Sequence, residues 1–380
     1  MRQETIAPPA APQPDLEAFA REVAALRKEI DAALGPEDLA HLRKMIRWGR
    51  IASAIGMATA WAGPNPVSIA GLALGRGTRW MIMHHVGHRG YDKVEGTPPE
   101  LTSSAFARGV RRVVDWMDWI EPEAWKHEHN VLHHGNTGEE ADPDLFERNV
   151  TWVHPLPAPV RWALLGGLTA TWRATYYAPA TMAALLTKQS GEEPTARVLY
   201  MTVLRRCWLP YAGYAFVALP LVFAPLGPLA VASAFVNSVA ADVVANMHTF
   251  LVVGPNHAGS DLFRFADRPK TKGERLARQV VGSTNYATGG DLVDFAHLWL
   301  NYQIEHHLFP DLPMLRYREV QPKVEALCAK YGIPYTQESV FRRFAKMAKI
   351  FIGTESMRRD ADSVLSPQRA VSKPTAAHAP

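Results

Sequence analysis

A chain of 380 residues is long enough for one large domain or two modest ones. Hydrophobic residues make up 47% and charged residues 21%, and the two kinds are segregated into blocks, so the average conceals long apolar stretches. A net charge of +4 is too small to argue for nucleic acid and suits an anionic membrane surface or an acidic redox partner, while two cysteines, Cys207 and Cys328, exclude a disulfide framework and any four-cysteine iron–sulfur or zinc site.

The first 15 residues are rich in Pro and Ala, show no secretory-signal pattern and are expected to form a disordered tail. Residues 16–34 have the pattern of an amphipathic helix ended by Gly35-Pro36. A second helix is expected from Glu37 into the apolar block 51–61, followed by the turn Gly63-Pro64-Asn65-Pro66 and a further apolar block, 67–74. This is the pattern of a helical hairpin dipping into a bilayer, although each arm is shorter than the ~20 apolar residues of a full span. A buried hairpin of a soluble protein fits the segment equally well. Arg76 and Arg79 stand at the end of the second arm, where cations snorkel to headgroups.

Residues 162–186, with Arg173 in the middle and several aromatics, read as an interfacial helix rather than a span. Residues 208–224 contain no charge, 225–227 can turn, and 228–247 have the length of one span, interrupted only by Asp242. Four embedded segments in two hairpins would leave the intervening segments on one side, and their Lys and Arg content assigns that side to the cytoplasm. The expected fold is therefore all-α: an integral membrane protein of two hairpins, about four spans, under a cytoplasmic helical cap. One domain is expected over 16–355, with a second disordered tail over 356–380. The basic run Phe341 to Lys346 reads as a solvated helix face with some buried Phe.

Three histidine clusters carry the chemistry: His84-His85-Val86-Gly87-His88, His129-Asn130-Val131-Leu132-His133-His134, and Gln303-Ile304-Glu305-His306-His307. His84 and His88 are four residues apart, as are His129 and His133, a spacing that sets two rings on one face of a helix. His134, His306 and His307 add neighbours able to reach a second ion. A single zinc needs about three or four ligands, so this supply argues for two ions, and imidazole suits iron, zinc, copper and nickel alike. A pair of irons is one good reason to gather the clusters, because it can activate dioxygen for attack on an unactivated methylene.

His85 and His127 break the ligand spacing and are expected outside the ligand set, while His154 and His297 are expected to pack or hydrogen-bond. Glu128, Asp142, Asp144 and Glu305 are candidates to fix ring tautomers, with Asp142-Pro143-Asp144 also readable as a turn. His248 and His257 follow the last apolar segment. Nine residues apart, they would be half a turn out of phase on an unbroken helix, but Gly254-Pro255 can break it; at least one is expected to ligate.

The pattern resembles the membrane fatty acid desaturase family. The three clusters match the family's histidine boxes, and the stretch from Leu300-Asn301-Tyr302-Gln303 through His306-His307-Leu308-Phe309-Pro310 is most similar to the acyl-lipid and front-end desaturases, as is the run from Leu327 to Tyr335. Gln303 in place of His marks that subgroup, in which a His and an Asn-His pair also follow the last span, as His248 and Asn256-His257 do here. The resemblance implies a di-iron centre on the cytoplasmic face, with Fe2+ held by His84, His88, His129, His133, His134, His248, His257, His306 and His307. It also implies four spans, a hydrophobic tunnel for an acyl chain, O2 as co-substrate and two electrons per turnover.

Two departures bear on this. The chain carries no His-Pro-Gly-Gly haem motif, so the expected electron donor is a separate ferredoxin or cytochrome b5-like protein. Three residues separate His129 from His133, where fused front-end enzymes often differ. No catalytic acid or base is expected beyond the metal centre; Gln303 is expected to ligate weakly or to hydrogen-bond an iron-bound water. The expected activity is acyl desaturation. A lipid hydroxylase or monooxygenase on the same scaffold, and a non-enzymatic membrane metal-binding protein, are the alternatives, the last disfavoured because transporters place their ligands near mid-bilayer.

Overall fold

The computed structural model describes residues 14–359 and Leu365; the expected tails lie otherwise outside the described residues. Within the second tail's expected range, Met357 is buried, and Arg358 exchanges 2.8 Å backbone hydrogen bonds with Leu262 and Arg264, so the ordered chain runs past 355. Among the described residues every regular element is helical, and the only β-type pairings are isolated bridges.

Helix α1 (Leu16–Ala32) begins where Asp15 accepts a hydrogen bond from the Ala18 N–H at 2.8 Å, and it buries Phe19, Val23, Leu26 and Ile30 along one stripe. Helix α2 (Pro36–Thr59) has Pro in its first turn, and the Asp38 carboxylate accepts from the Gly35 N–H. Helix α3 (Pro66–Gly87) is capped by Asn65, which accepts from the Ser68 N–H at 2.8 Å. The two long helices form the first hairpin and pack backbone to backbone. A Cβ on Gly71 would stand 2.6 Å from the Ala52 carbonyl, so glycine there lets the helices close.

The central third of the chain is helical with π turns inserted. Helix α4 (Pro122–His127) leads into a π turn over Glu128–His133. Helix α5 (Ala158–Trp172) passes through a π turn over Arg173–Tyr177 into α6 (Ala178–Ser190). Helix α7 (Ala196–Val203) continues through two further π turns toward Leu221. Helix α8 (Pro228–Val253) ends in a 3-10 turn over Gly254–His257. The continuous stretch 228–257 is the one helix among the described residues long and apolar enough by itself to cross a bilayer. The other segments expected as spans do not reach that standard: α2 is studded with basic residues in its first half, and the arm before α8 is divided by its π turns.

Asp242, the lone charge in α8, sits in a buried polar knot. The fully buried Arg173 guanidinium donates to Asp118 at 2.5 Å and to Asp242 at 3.3 Å, and Tyr211 and Trp119 donate to the same Asp242 carboxylate. Arg173 therefore reaches inward to opposite charges rather than outward to headgroups.

Four further helices, α9 (Lys272–Val281), α10 (Gln303–Leu308), α11 (Met314–Tyr331) and α12 (Val340–Phe351), assemble with α1 and the histidine-bearing end of α3 around one large apolar core.

Candidate metal centre

Each histidine cluster sits at an end or irregularity of a helix. The last turns of α3 are buried from Trp80 to Gly87, and His88 caps the helix, its N–H reaching the His84 carbonyl at 3.0 Å. Arg89 follows in the left-handed region (φ +68°) and turns the chain away. His129 and His133 lie on the π turn rather than on an α-helix. Its wider winding brings position i+5 over position i: the His134 N–H bonds the His129 carbonyl, and the His129 ring lies about 5 Å from both His133 (5.1 Å) and His134 (5.0 Å). Before α10, Leu298 and Trp299 are both held at positive φ, and the Asn285 side chain caps the helix through the Ile304 N–H at 2.9 Å. Adjacent residues on a helix point about 100° apart, so His306 and His307 face different ways.

The rings converge into two groups. The ligand atoms of His84, His88, His129 and His306 lie within 4.8 Å of one another, as do those of His133, His257 and His307. His134 stands between the groups, 4.6 Å from His88 and stacked at 4.3 Å on His307. His248 lies apart: its Nε2 meets the Ala296 carbonyl at 2.7 Å. The break after Val253 is what swings His257, and not His248, into the site. Gln303 reaches the second group, with its amide nitrogen 2.9 Å from His257 Nε2.

The donor set fits metal ions. His84 Nε2 and His306 Nε2 approach to 3.1 Å, and His257 Nε2 and His307 Nε2 to 3.0 Å. Two nitrogens bound to one ion at about 2.1 Å and set about 90° apart would stand about 3.0 Å from each other. His88 Nε2, His129 Nε2 and both ring nitrogens of His134 are buried with no hydrogen-bond partner among the described residues, a costly arrangement for a site without a ligand. Burial, reinforced by neighbouring imidazoles, holds His88, His129, His134 and His307 well below the ordinary histidine range, so each ring offers a lone pair.

The far nitrogens are also placed. His133 Nδ1–H donates to Asp142 at 2.9 Å, His307 Nδ1–H to Gln279 Oε1 at 2.8 Å, His257 Nδ1–H to the Gly282 carbonyl at 3.1 Å, and His306 Nδ1–H to the Tyr317 hydroxyl at 3.1 Å. Each bond fixes a tautomer that leaves Nε2 facing the centre. Burial opposes charge on His133, but Asp142 and Asp144 outweigh it and raise that ring.

Of the acidic residues expected in this role, Asp142 serves a ring directly. Glu128 accepts from the Tyr177 hydroxyl, which lies 3.5 Å from His129 Nδ1, and Asp144 is close to His129. Glu305 instead accepts from Asn285 and Tyr335, both at 2.8 Å, and braces α10. His85 is fully buried against the Tyr317 ring, His154 meets the Ile350 carbonyl, and His297 meets the Val293 carbonyl. Gln279, Tyr317 and Tyr177 carry no sequence signal, since nothing in their local pattern distinguishes them from packing residues.

A cavity of about 480 Å³ opens beside both groups. Its walls are mostly apolar, with Trp80, Leu164, Leu168, Trp172 and Phe250, and it ends on His84, His129, His133 and His257.

A helical scaffold that gathers eight imidazoles beside an apolar cavity defines a protein able to hold metal next to room for an apolar molecule. The sequence model of the fatty acid desaturase family matches residues 59–339, and the chain belongs to that family. An NADPH-dependent stearoyl-CoA 9-desaturase of Mycobacterium tuberculosis (strain H37Rv) is 24% identical over 375 residues, covering 92% of this chain and 83% of the relative. An acyl-lipid (7-3)-desaturase of Rebecca salina is 30% identical over 235 residues, 57% of this chain and 50% of the relative. An acyl-lipid (8-3)-desaturase of a Thraustochytrium species is 34% identical over 84 residues, 20% of this chain and 19% of the relative. These relatives make the chain an oxidoreductase of lipid metabolism.

Proposed function

We propose that this protein is an oxygen-dependent acyl desaturase that places a double bond in a long acyl chain. The observation that carries the reading is the pair of imidazole groups, with tautomers fixed from behind, at the end of an apolar cavity. His84, His88, His129 and His306 would hold one iron, and His133, His257 and His307 the other, with His134 between them. Two irons so held would supply the oxidising power to take one hydrogen from each of two adjacent methylenes, O2 being reduced to two waters by those two hydrogens, two electrons and two protons.

The protein's own part is positioning. Trp80, Leu168, Trp172 and Phe250 exclude water and line the acyl path. Asp142, Gln279, Tyr317 and the Gly282 carbonyl hold a proton on each Nδ1 and so aim each Nε2 at the centre. Gln303, beside His257, is placed to orient a water at the second ion. The electrons come from a separate ferredoxin or cytochrome b5-like protein, charged ultimately by a nicotinamide as the mycobacterial relative's name indicates.

We place the two hairpins in a membrane as four spans, with the metal centre on the cytoplasmic side. Outward residues such as Ile51, Ile55, Trp61, Val67 and Leu74 on the first hairpin, and Val217, Leu221, Leu229, Val236 and Val243 on the second, support this band. All ligating histidines come at the same end of it.

The test is expression in a desaturase-poor host, with fatty acid profiling and double-bond localisation. New unsaturation is expected from the wild type and none from His133→Ala or His306→Ala. Products heavier by one oxygen would instead make it a hydroxylase, and unsaturation retained in either variant would remove that residue from the centre.

A further inference from the structure

A second and larger cavity, about 780 Å³, lies away from the metal centre between α2, the outer face of α3 and the loop 98–115. Its wall carries five arginines, Arg43, Arg47, Arg50, Arg79 and Arg111, against two carboxylates, Glu100 and Asp115. Asp115 is taken by Arg111 through two bonds, at 2.8 and 2.9 Å. Arg43, Arg47 and Arg50 recur at i, i+4 and i+7 on α2, so they share one face, and none has an acidic partner within salt-bridge reach among the described residues. Beneath them the floor is apolar, with Ile46, Ile82, Leu101 and Phe106.

The cavity's height in the fold is the second observation. Immediately below Arg50, α2 turns outward the apolar residues Ile51 and Ile55. Beside the cavity, the short helix Arg111–Asp115 and the residue before it expose Val110, Val113 and Val114 between arginines. Exposed valines interleaved with arginines at the border of an apolar band are the composition of a segment seated among headgroups.

We propose that this cavity is a binding site for a phosphate-bearing amphiphile, an anionic phospholipid of the surrounding membrane, separate from the acyl cavity at the metal centre. The arginine row takes the phosphate, for which planar guanidinium forks are suited, and the apolar floor takes the start of an acyl chain. The volume is that of an ordinary small-ligand pocket. Because the site is walled by both arms of the first hairpin, occupancy ties the membrane-facing helices to the 98–115 loop. The inference rests on the membrane placement proposed above and not on desaturation.

The test reconstitutes the full-length protein in nanodiscs of phosphatidylcholine, with or without phosphatidylglycerol, and follows a fluorescent phosphatidylglycerol by energy transfer from tryptophan. Wild type is expected to bind phosphatidylglycerol in preference to phosphatidylcholine. Each arginine neutralised (R43Q, R47Q, R50Q) is expected to weaken binding by about fivefold. A control variant, R268Q/R275Q, which removes two arginines away from the cavity, is expected to leave binding unchanged. Inorganic phosphate added at rising concentration distinguishes the sources: displacement of the lipid by phosphate at constant ionic strength would make this a site for free phosphate and overturn the lipid assignment. Equal weakening by the control variant, or no weakening by the combined R43Q/R47Q/R50Q variant, would overturn the site altogether. Metal content and melting temperature, measured alongside, report whether the variants are folded, and neither readout needs enzyme activity.

Discussion

The two imidazole groups are built differently, and the difference shows what the protein contributes to each. In the second group all three far nitrogens are hydrogen-bonded, His133 by Asp142, His257 by the Gly282 carbonyl and His307 by Gln279. In the first group only His306 has a close partner, Tyr317; His84 Nδ1 has none among the described residues, and Tyr177 stands 3.5 Å from His129. The first group is held mainly by packing, with Trp125 stacked at 4.7 Å on His129 and edge-on at 5.5 Å to His88. One imidazole group is thus aimed by hydrogen bonds and the other by buried aromatic walls, so the two should respond differently to the same kind of damage.

The largest effect is expected from removing a ligand on either side. His84→Ala and His307→Ala should each reduce desaturation to background and lower bound iron, measured by product profiling with elemental analysis. Retention of full iron by one of them would move that residue out of its group. Next comes the polar knot that holds the helices beneath the site. Asp242→Leu leaves Arg173 buried with half of its charge compensation gone and should cost about 3–5 kcal/mol in stability, read as a fall in melting temperature or loss of folded protein. Restoring the balance with Arg173→Met in the same chain should recover much of that loss.

The comparison itself is sharpened by paired variants. Gln279→Leu strips a tautomer-fixing bond from the second group and should cost about 10–100-fold in activity or iron affinity. Trp125→Phe, which keeps an aromatic wall beside the first group, should cost less. Equal losses would show that both groups are held in the same way.

The smallest effect concerns pH. Asp311, in the segment after His307, pairs with Arg27 of α1 and with Lys93 in the turn after α3. Burial works against its charge, but Arg27 and then Lys93 hold the carboxyl down at about 2. A carboxyl depressed on folding contributes stability that is complete above its unfolded value near 3.8 and is lost as pH falls through about 2. Asp311→Asn should therefore melt below wild type at neutral pH by roughly 1 kcal/mol, with the gap closing between pH 4 and 2. A gap independent of pH would assign the effect to packing.

Much of the site was legible because histidine pairs on short spacings stand out against any background. What spacing could not give is the phase of the elements. The sequence argued for an ordinary helix through His129 and His133, whereas the π turn is what sets His134 over His129. His248 and His257 looked interchangeable, and the helix break after Val253 separates them. Gln279 and Tyr317 stayed hidden because a hydrogen bond across 28 or 11 residues leaves no local mark. Asp242 was visible as the lone charge in an apolar stretch, but its partner Arg173 was assigned to an interface because the fold that buries it is long-range. The all-helical class was readable from apolar blocks, while the lengths and interruptions of the helices depend on π turns that no composition signals.

The most direct test of the proposed di-iron centre is the metal content itself. Elemental analysis of the full-length protein, purified from cells supplied with iron, is expected to give two iron ions per chain. One ion per chain, or zinc in place of iron, would contradict it.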